Sequence, residues 1–488
     1  MINIRHGIYI YNSLTNKKQK FVSIEDRQVR MYTCGQTTYN DIHIGNARFY
    51  VVFDTLRRYL VAKGYNIDYV QNFTDIDDKI IQKANEEGIT TQAIAARYIK
   101  RTLEDLKNLN VEEATVNPCV TKEIPEIISF IKDLIARRFA YEKEGTVFFE
   151  VARFKKYGKL SNKKIQDLEA GARVEINENK KSPFDFVLWK PAKEGEPSFE
   201  SPWGDGRPGW HIECSAMIRK YLGDQIDIHG GGEDLIFPHH ENEIAQTGAL
   251  TRKKLANYWM HCGVLTVDHK KMSKSRGNFT TLRDVAKKFP YDVIRFYLLS
   301  AHYRSPLEFN DDVLKAAEQG YKRIAQSYKV QLEKYEFMHL DLETYSTQIF
   351  TPEEEAYMDN LDRLLEKFFK CLDDDFNTAD AISVFFELTR IVNTYINGQL
   401  KNLRSLIQLV IRGVDHSLFM ADTLGLAPSL SARARVKDDD ENIGVLVEAR
   451  TAAKKAKDFA EADRIRDELA KMGIVIEDTR EGVRWHRA

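Results

Sequence analysis

Apolar and polar positions change their period several times along the chain, and each change marks an element. Gln28 to Cys34 reads as a strand that stops at Gly35. Val52, Leu56, Tyr59 and Leu60 recur at i, i+4, i+7 and i+8, one face of a helix, and Gly64 stands where a left-handed cap would end it. Asn66 to Asn72 alternates as a second strand, and Thr74-Asp75-Ile76-Asp77 has the form of a capping box that opens another helix. This order predicts a parallel α/β sheet with nucleotide-binding potential. Near Pro118 the pattern breaks, and up to about Gly223 it reads as a mixed insertion rich in Lys, Glu, aromatics and Pro. A second α/β stretch runs from Gln225 to about Phe309.

From Asp311 onward the periods are helical. Leu361, Leu364, Leu365, Phe368 and Leu372 form one apolar stripe, and Ile382, Phe385, Phe386 and Ile396 another, closed by Gly398. The polar stretch Ala427 to Asn442 reads as a linker. Beyond it a small unit is predicted: a helix to about Lys457, a second through Ala462, Ile465 and Leu469 to Gly473, then a hairpin of Ile474-Val475-Ile476 with Val483 to His486.

Composition narrows the picture. A chain of 488 residues is too long for one core, and its net charge of −1 gives no global field for nucleic acid. Five scattered cysteines argue against a disulfide framework and for a reducing compartment, so a soluble cytoplasmic protein is expected. The first ten residues carry no signal-like apolar run, and no stretch is long enough to span a bilayer.

Three local strings carry chemistry. His43-Ile44-Gly45-Asn46 follows the first strand and opens the first helix: Gly45 lets a base approach the backbone, and His43 can donate to phosphate oxygens beside a helix N-terminus. Alone, such a string is as readily a turn. Lys271-Met272-Ser273-Lys274-Ser275 follows the strand-like Gly263 to Val267, and two lysines on a short loop suit the neutralisation of a departing pyrophosphate. An isolated pair of this kind is more often a solvated loop. The third set is Cys34, Cys214, His239 and Glu243. Pro238 suits the first helical position, so His239 and Glu243 stand at i and i+4 on one face. Two thiolates, an imidazole and a carboxylate make a plausible tetrahedral zinc set.

The first two strings, in this order, resemble the HIGH and KMSKS motifs of class I aminoacyl-tRNA synthetases. With the third, and with Asn72 to Ile81, Phe184 to Met217, His229 to Gln246, Met260 to Phe279, Tyr303 to Phe309, Asp373 to Thr378 and Lys457 to Leu469, nearly the whole chain resembles the cysteinyl-tRNA synthetase family. That resemblance implies a Rossmann-like parallel-sheet catalytic domain (1–118 and 224–310) split by a connective insertion (119–223). A helical bundle (311–428) and a small α+β anticodon-binding unit (440–488) would follow. It implies one Zn²⁺ on Cys34, Cys214, His239 and Glu243, and Mg²⁺ with ATP. Catalytic roles would fall to His43, Asn46, Lys271 and Lys274. ATP would be held by His43, Gly45, Asn46, Gly232, Asp234 and Lys274, with Asp234 left open between the ribose and the substrate ammonium. Cys34, Thr74, Trp210 and Asp234 would meet L-cysteine, although Thr74 is equally well a helix cap and Trp210 a core residue. The partners implied are tRNA(Cys), ATP and L-cysteine, with no membrane and a monomeric chain. Cys119, Cys262 and Cys371 match no ligand position and read as small buried hydrophobes.

One departure is visible. Asn46 stands where the family motif has a second histidine; an amide can donate to phosphate but cannot carry charge, which bears on the activation rate. Two other functions fit part of the pattern: an ATP-dependent ligase joining cysteine to a small amine, which would not need residues 311–488, and a non-catalytic zinc-containing RNA-binding protein, which would not need HIGN and KMSKS.

Overall fold

The computed structural model describes residues 7–163, 179–268, 270–271, 279–338, 350–397 and 403–426, then residues 447, 450–451, 453–454, 462–466, 469, 474–479 and 482–487. It divides into two compact units, Met1–Leu426 and Ala427–Ala488.

At the centre of the first unit lies a four-stranded parallel sheet in the spatial order Ala256–Cys262, Ile226–Gly232, Gln28–Thr33, Asn66–Gln71. The two inner strands are distant in sequence, and Met31, Tyr32 and Thr33 pair with Ile228, His229 and Gly230. From this pair the chain winds outward in both directions, so their carboxyl ends border a topological switch point, where open α/β sheets bind ligands. The helix Ile44–Ala62 lies against the sheet; its Val52, Leu56, Tyr59 and Leu60 are buried, and Gly64 follows it at φ 84°, the expected left-handed cap. Phe53 of that helix fills the space over Gly230, where a Cβ would come within 2.2 Å of its ring.

The capping box expected at Thr74 is not formed. The helix begins at Asp78, and Asp77 caps it by accepting from the Lys79 amide. Thr74 is still held in extended pairing with Thr37, and its hydroxyl donates to Glu213 at 3.1 Å. A buried carboxylate therefore claims the side chain that local pattern assigned to a cap.

Between the halves of the sheet, Ala140–Lys143, Thr146–Phe149, Phe186–Pro191 and Gly206–Pro208 form an antiparallel sheet. After it come four long helices, Asp311–Met338, Pro352–Asp373, Thr378–Asn397 and Leu403–Thr423. The second starts where sequence dictates: Thr351 and Glu354 form a reciprocal capping box, with Pro352 in the first turn. Its stripe of Leu361, Leu364, Leu365, Phe368 and Leu372 is buried; in the third helix Ile382 and Phe385 are buried and Phe386 and Ile396 half-buried. Gly398 lies outside the described residues. Fully buried Asp375 ties this bundle to the rest, accepting from Tyr11 N (2.8 Å), Tyr303 Oη (2.8 Å) and Arg304 Nε (2.7 Å).

In the second unit Ile474–Thr479 and Gly482–Arg487 pair antiparallel, the expected hairpin, and Ala462, Ile465 and Leu469 are buried. The linker 427–442 and Gly473 lie outside the described residues. Among the described residues, no helix is long and apolar enough to cross a membrane.

Candidate metal centre and nucleotide cleft

The first inner strand ends at Thr33, and the chain turns at Cys34 so tightly against Asn72 that a Cβ on Gly35 would lie 1.5 Å from the Asn72 carbonyl oxygen. Cys214 lies in the first turn of the helix Ile212–Leu222. A kink at Phe237 (φ −139°, ψ 130°) precedes Pro238, and the helical run that follows places His239 and Glu243 four residues apart on one face, 3.1 Å between Nε2 and Oε1. Three separate elements thus deliver four donors to one buried spot, all within 4.8 Å of one another.

The spacing fits a tetrahedral ion. Metal–sulfur bonds of about 2.3 Å and metal–nitrogen or metal–oxygen bonds of about 2.05 Å place tetrahedral donors about 3.7 Å apart for S–S, about 3.5 Å for S–N or S–O and about 3.3 Å for N–O. Here Cys34 and Cys214 sulfurs are 3.7 Å apart, Cys214 Sγ and His239 Nε2 3.6 Å, Cys34 Sγ and Glu243 Oε1 3.4 Å, and His239 Nε2 and Glu243 Oε1 3.1 Å. A second group, Cys34, His229, His240 and Glu243, is equally buried. Its His229 Nε2 to Glu243 Oε2 distance of 2.8 Å is a hydrogen bond, too short for a tetrahedral edge. His229 therefore supports the candidate donor Glu243, and His240, whose Nε2 lies 3.4 Å from Cys34 Sγ, supports Cys34. His240 is itself oriented by His261 (2.8 Å), and His261 by Ser13 (2.7 Å).

Electrostatics fit the same donors. Burial opposes charge on Glu243, but His229 and His239 outweigh it and hold its carboxyl well below the usual range. His239 is desolvated too, yet Glu243 and Cys214 raise it to about 10. The hydrogen bond from Cys34 lowers Cys214 to about 6, while burial pushes Cys34 up. A cation entering at neutral pH must displace the protons of His239 and Cys34, so its affinity rises with pH.

Cys34 also lines a cleft of about 660 Å³, with Gly35, Gln36, Tyr39, His43, Gly45, Asn46, Gly232, Asp234, Gly263, Val264, Leu265 and Phe279 among its walls. The metal donors and the cleft thus share a wall. His43 caps the helix: its Nδ1 accepts from the Asn46 amide at 3.1 Å, and Asn46 Oδ1 accepts from the His43 amide at 3.4 Å. Asn46 is thus the third residue of a capping box, a structural role that sequence comparison with a histidine motif did not foresee. Asn46→Ala is expected to lower the unfolding free energy by about 1 kcal/mol in denaturant melts. Asn46→His, whose ring nitrogen can accept in the same place, is expected to keep most of it.

Trp210 stands at the other side of the metal donors, its ring 4.5 Å from that of His239 and 42% exposed, so it is no core residue. Thr74, by way of Glu213, borders the same region, and burial raises the Glu213 carboxyl well above the usual range. Lys271 belongs to a short strand paired with Leu265–Val267, and Phe279 returns to pack edge-on against His43. The Lys271 side chain and all of Lys274 lie outside the described residues. Sequence reading missed His229, His240, His261, Asn72 and Glu213. The one available signal was that His240 and Glu213 adjoin ligand positions.

Comparison with known proteins places the chain in a family. Residues 20–319 match the family described as tRNA synthetases class I (C) catalytic domain, 367–414 the DALR domain, and 437–485 the cysteinyl-tRNA ligase anticodon binding domain. A cysteine–tRNA ligase of Lachnoclostridium phytofermentans is 51% identical over 98% of this chain and 100% of its own length; one of Clostridioides difficile is 48% identical over 98% and 99%. Among solved structures, Mycobacterium tuberculosis methionyl-tRNA synthetase in complex with methionyl-adenylate shares the fold, with TM-score 0.62 at 15% identity, over 83% of this chain and 92% of that one.

Proposed function

This chain belongs to the cysteine–tRNA ligase family, and from that premise we propose that it activates L-cysteine with ATP and joins it to tRNA(Cys), choosing the amino acid at a zinc centre on Cys34, Cys214, His239 and Glu243. The observation that carries this reading is the match of four donor distances to a tetrahedral ion on the wall of the nucleotide cleft.

Serine differs from cysteine by one atom, and pocket size alone discriminates such pairs by only about 1–3 kcal/mol. Zn²⁺ bound here supplies an acid that prefers thiolate to a neutral hydroxyl. Two thiolates and a carboxylate exceed its charge, and Glu243 is the ligand best able to yield, because His229 already holds its second oxygen. Trp210 and Thr74 wall the amino-acid pocket in this reading.

Activation needs no general base. The cysteine carboxylate attacks the α-phosphorus, an O–P bond forms, the bond to pyrophosphate breaks, and the requirement is alignment and stabilised charge. His43 and Asn46 meet the phosphates at a helix N-terminus, and Gly45 admits the base. Lys271 and Lys274 receive the departing pyrophosphate, with Mg²⁺ arriving on ATP. Gly232 and Asp234 hold the ribose or the substrate ammonium. A terminal ribose hydroxyl of tRNA, the 2′-OH, then attacks the carbonyl carbon and AMP leaves. We assign residues 119–223 as the connective insertion, 311–428 as a bundle lying along tRNA, and 440–488 as the anticodon-binding unit. A ligase for a small amine would have no use for the modules matched at 367–414 and 437–485.

Pyrophosphate exchange with each amino acid in turn tests the reading: cysteine alone is expected to support it, and exchange with another amino acid, or with none, would overturn it. Removing the segment after Ala427 is expected to spare exchange and to impair tRNA charging. Equal charging by truncated and full-length protein would contradict the role given to that unit.

A further inference from the structure

Two of the largest fully buried side chains are arginines, Arg48 and Arg295, and they are buried differently. Arg295 has a counter-charge in Asp54, and its remaining donors meet the carbonyls of Leu424, Leu109 and Asn110 and the hydroxyl of Thr55. Arg48 has no carboxylate at ion-pair distance among the described residues. Its Nη1 donates to the carbonyls of Gly263 (2.9 Å) and Val264 (3.3 Å), its Nη2 to that of His302 (3.0 Å), and its Nε is buried without a partner. Burial without a counter-ion is costly for a guanidinium, and an aliphatic side chain would fill the space at lower cost. The three carbonyls are what distinguish this residue.

Those carbonyls belong to a wall of the nucleotide cleft and its support. Gly263, Val264 and Leu265 line the cleft, as do Gly45 and Asn46, and Arg48 lies just beyond Asn46 on the same helix. A Cβ placed on Gly45 would lie 3.7 Å from Leu265 Cβ, ordinary van der Waals contact, so the start of this helix packs directly against the wall. On its far side the wall is pressed against the turn at 302–305: the Gly263 amide donates to the Tyr303 carbonyl at 2.8 Å, and a Cβ on Gly263 would lie 2.6 Å from the Arg304 carbonyl oxygen. Arg48 clasps both the wall and this turn.

We propose that Arg48 is a positioning residue for amino-acid activation: by fastening Gly263 and Val264 to the helix that carries Gly45, it fixes the place of the cleft wall against which the base of ATP rests. The inference rests on the reading of this cleft as the ATP site. Arg48 touches no substrate, and its effect on the base is transmitted by backbone.

The test uses Arg48→Lys and Arg48→Met in the full chain. An ammonium keeps the charge but cannot span three carbonyls in the guanidinium's fixed geometry. Pyrophosphate exchange is measured with ATP and cysteine varied separately, and adenosine binding by equilibrium dialysis. Both variants are expected to raise KM for ATP by about tenfold, the worth of one or two hydrogen bonds. Adenosine affinity should fall by a similar factor, with KM for cysteine and bound metal unchanged. A folded variant with ATP and adenosine parameters at the wild-type level would overturn the proposal. So would loss of kcat alone in proportion to the folded fraction, or failure of both variants to fold, since each marks a packing role. Wild-type protein that neither binds ATP nor exchanges pyrophosphate would instead refute the reading of the cleft itself.

Discussion

Cys214→Ser is expected to lose most of the zinc from a protein that otherwise holds close to one ion per chain, because a hydroxyl is a poor replacement for thiolate. Metal analysis of the purified variant checks this directly. The spacing around Cys214 makes the effect large. Its sulfur lies 3.7 Å from Cys34 and 3.6 Å from His239, so its loss removes one whole vertex of the donor set. His229 and His240 are not expected to compensate, since the short contact between His229 and Glu243 is a hydrogen bond. Cobalt replacement extends the test to selectivity. Cysteine is expected to shift the cobalt spectrum by adding a sulfur ligand, and serine to leave it unchanged. A closed structural zinc, remote from the amino acid, predicts a spectrum that ignores cysteine. It also predicts a metal-depleted, folded protein that still prefers cysteine to serine.

Lys274→Ala is the second large effect. A cation that acts while pyrophosphate departs contributes mainly in the transition state, so its loss is expected to depress kcat for exchange by about 10²–10³-fold. Zinc content and cysteine affinity should stay near wild type, because the metal donors come from other elements. An unchanged kcat would remove Lys274 from the mechanism.

Which of these features could be read in the sequence depended on whether the cause was local. Gly64 after an apolar helical face and His239 with Glu243 are short-range patterns, and each forms as read. Thr74 failed because its partner, Glu213, is 139 residues away. A capping box and a buried hydrogen bond compete for the same hydroxyl, and no window around Thr74 contains the winner. His229, His240 and His261 were silent for the same reason. Each acquires its meaning from a partner on another element: Glu243 for His229, Cys34 and His261 for His240, and Ser13 for His261. Asn46 was legible as a departure from a motif, but its bond to the His43 amide was not read from the sequence.

The pairing of two inner strands far apart in sequence has a consequence for biosynthesis. Cys34 leaves the ribosome 180 residues before Cys214 and 209 before Glu243, and until they follow it is a single thiol with no partner donor at its side. An ion held by these donors could not therefore help to nucleate the sheet, as metals do in small zinc modules that fold around them. It can be captured only after the second half of the domain has been made and has closed on the first, a late and non-local event. Metal loading would in this sense report on completed assembly: a chain arrested before Glu243, or one with its inner strands unpaired, lacks the complete donor set.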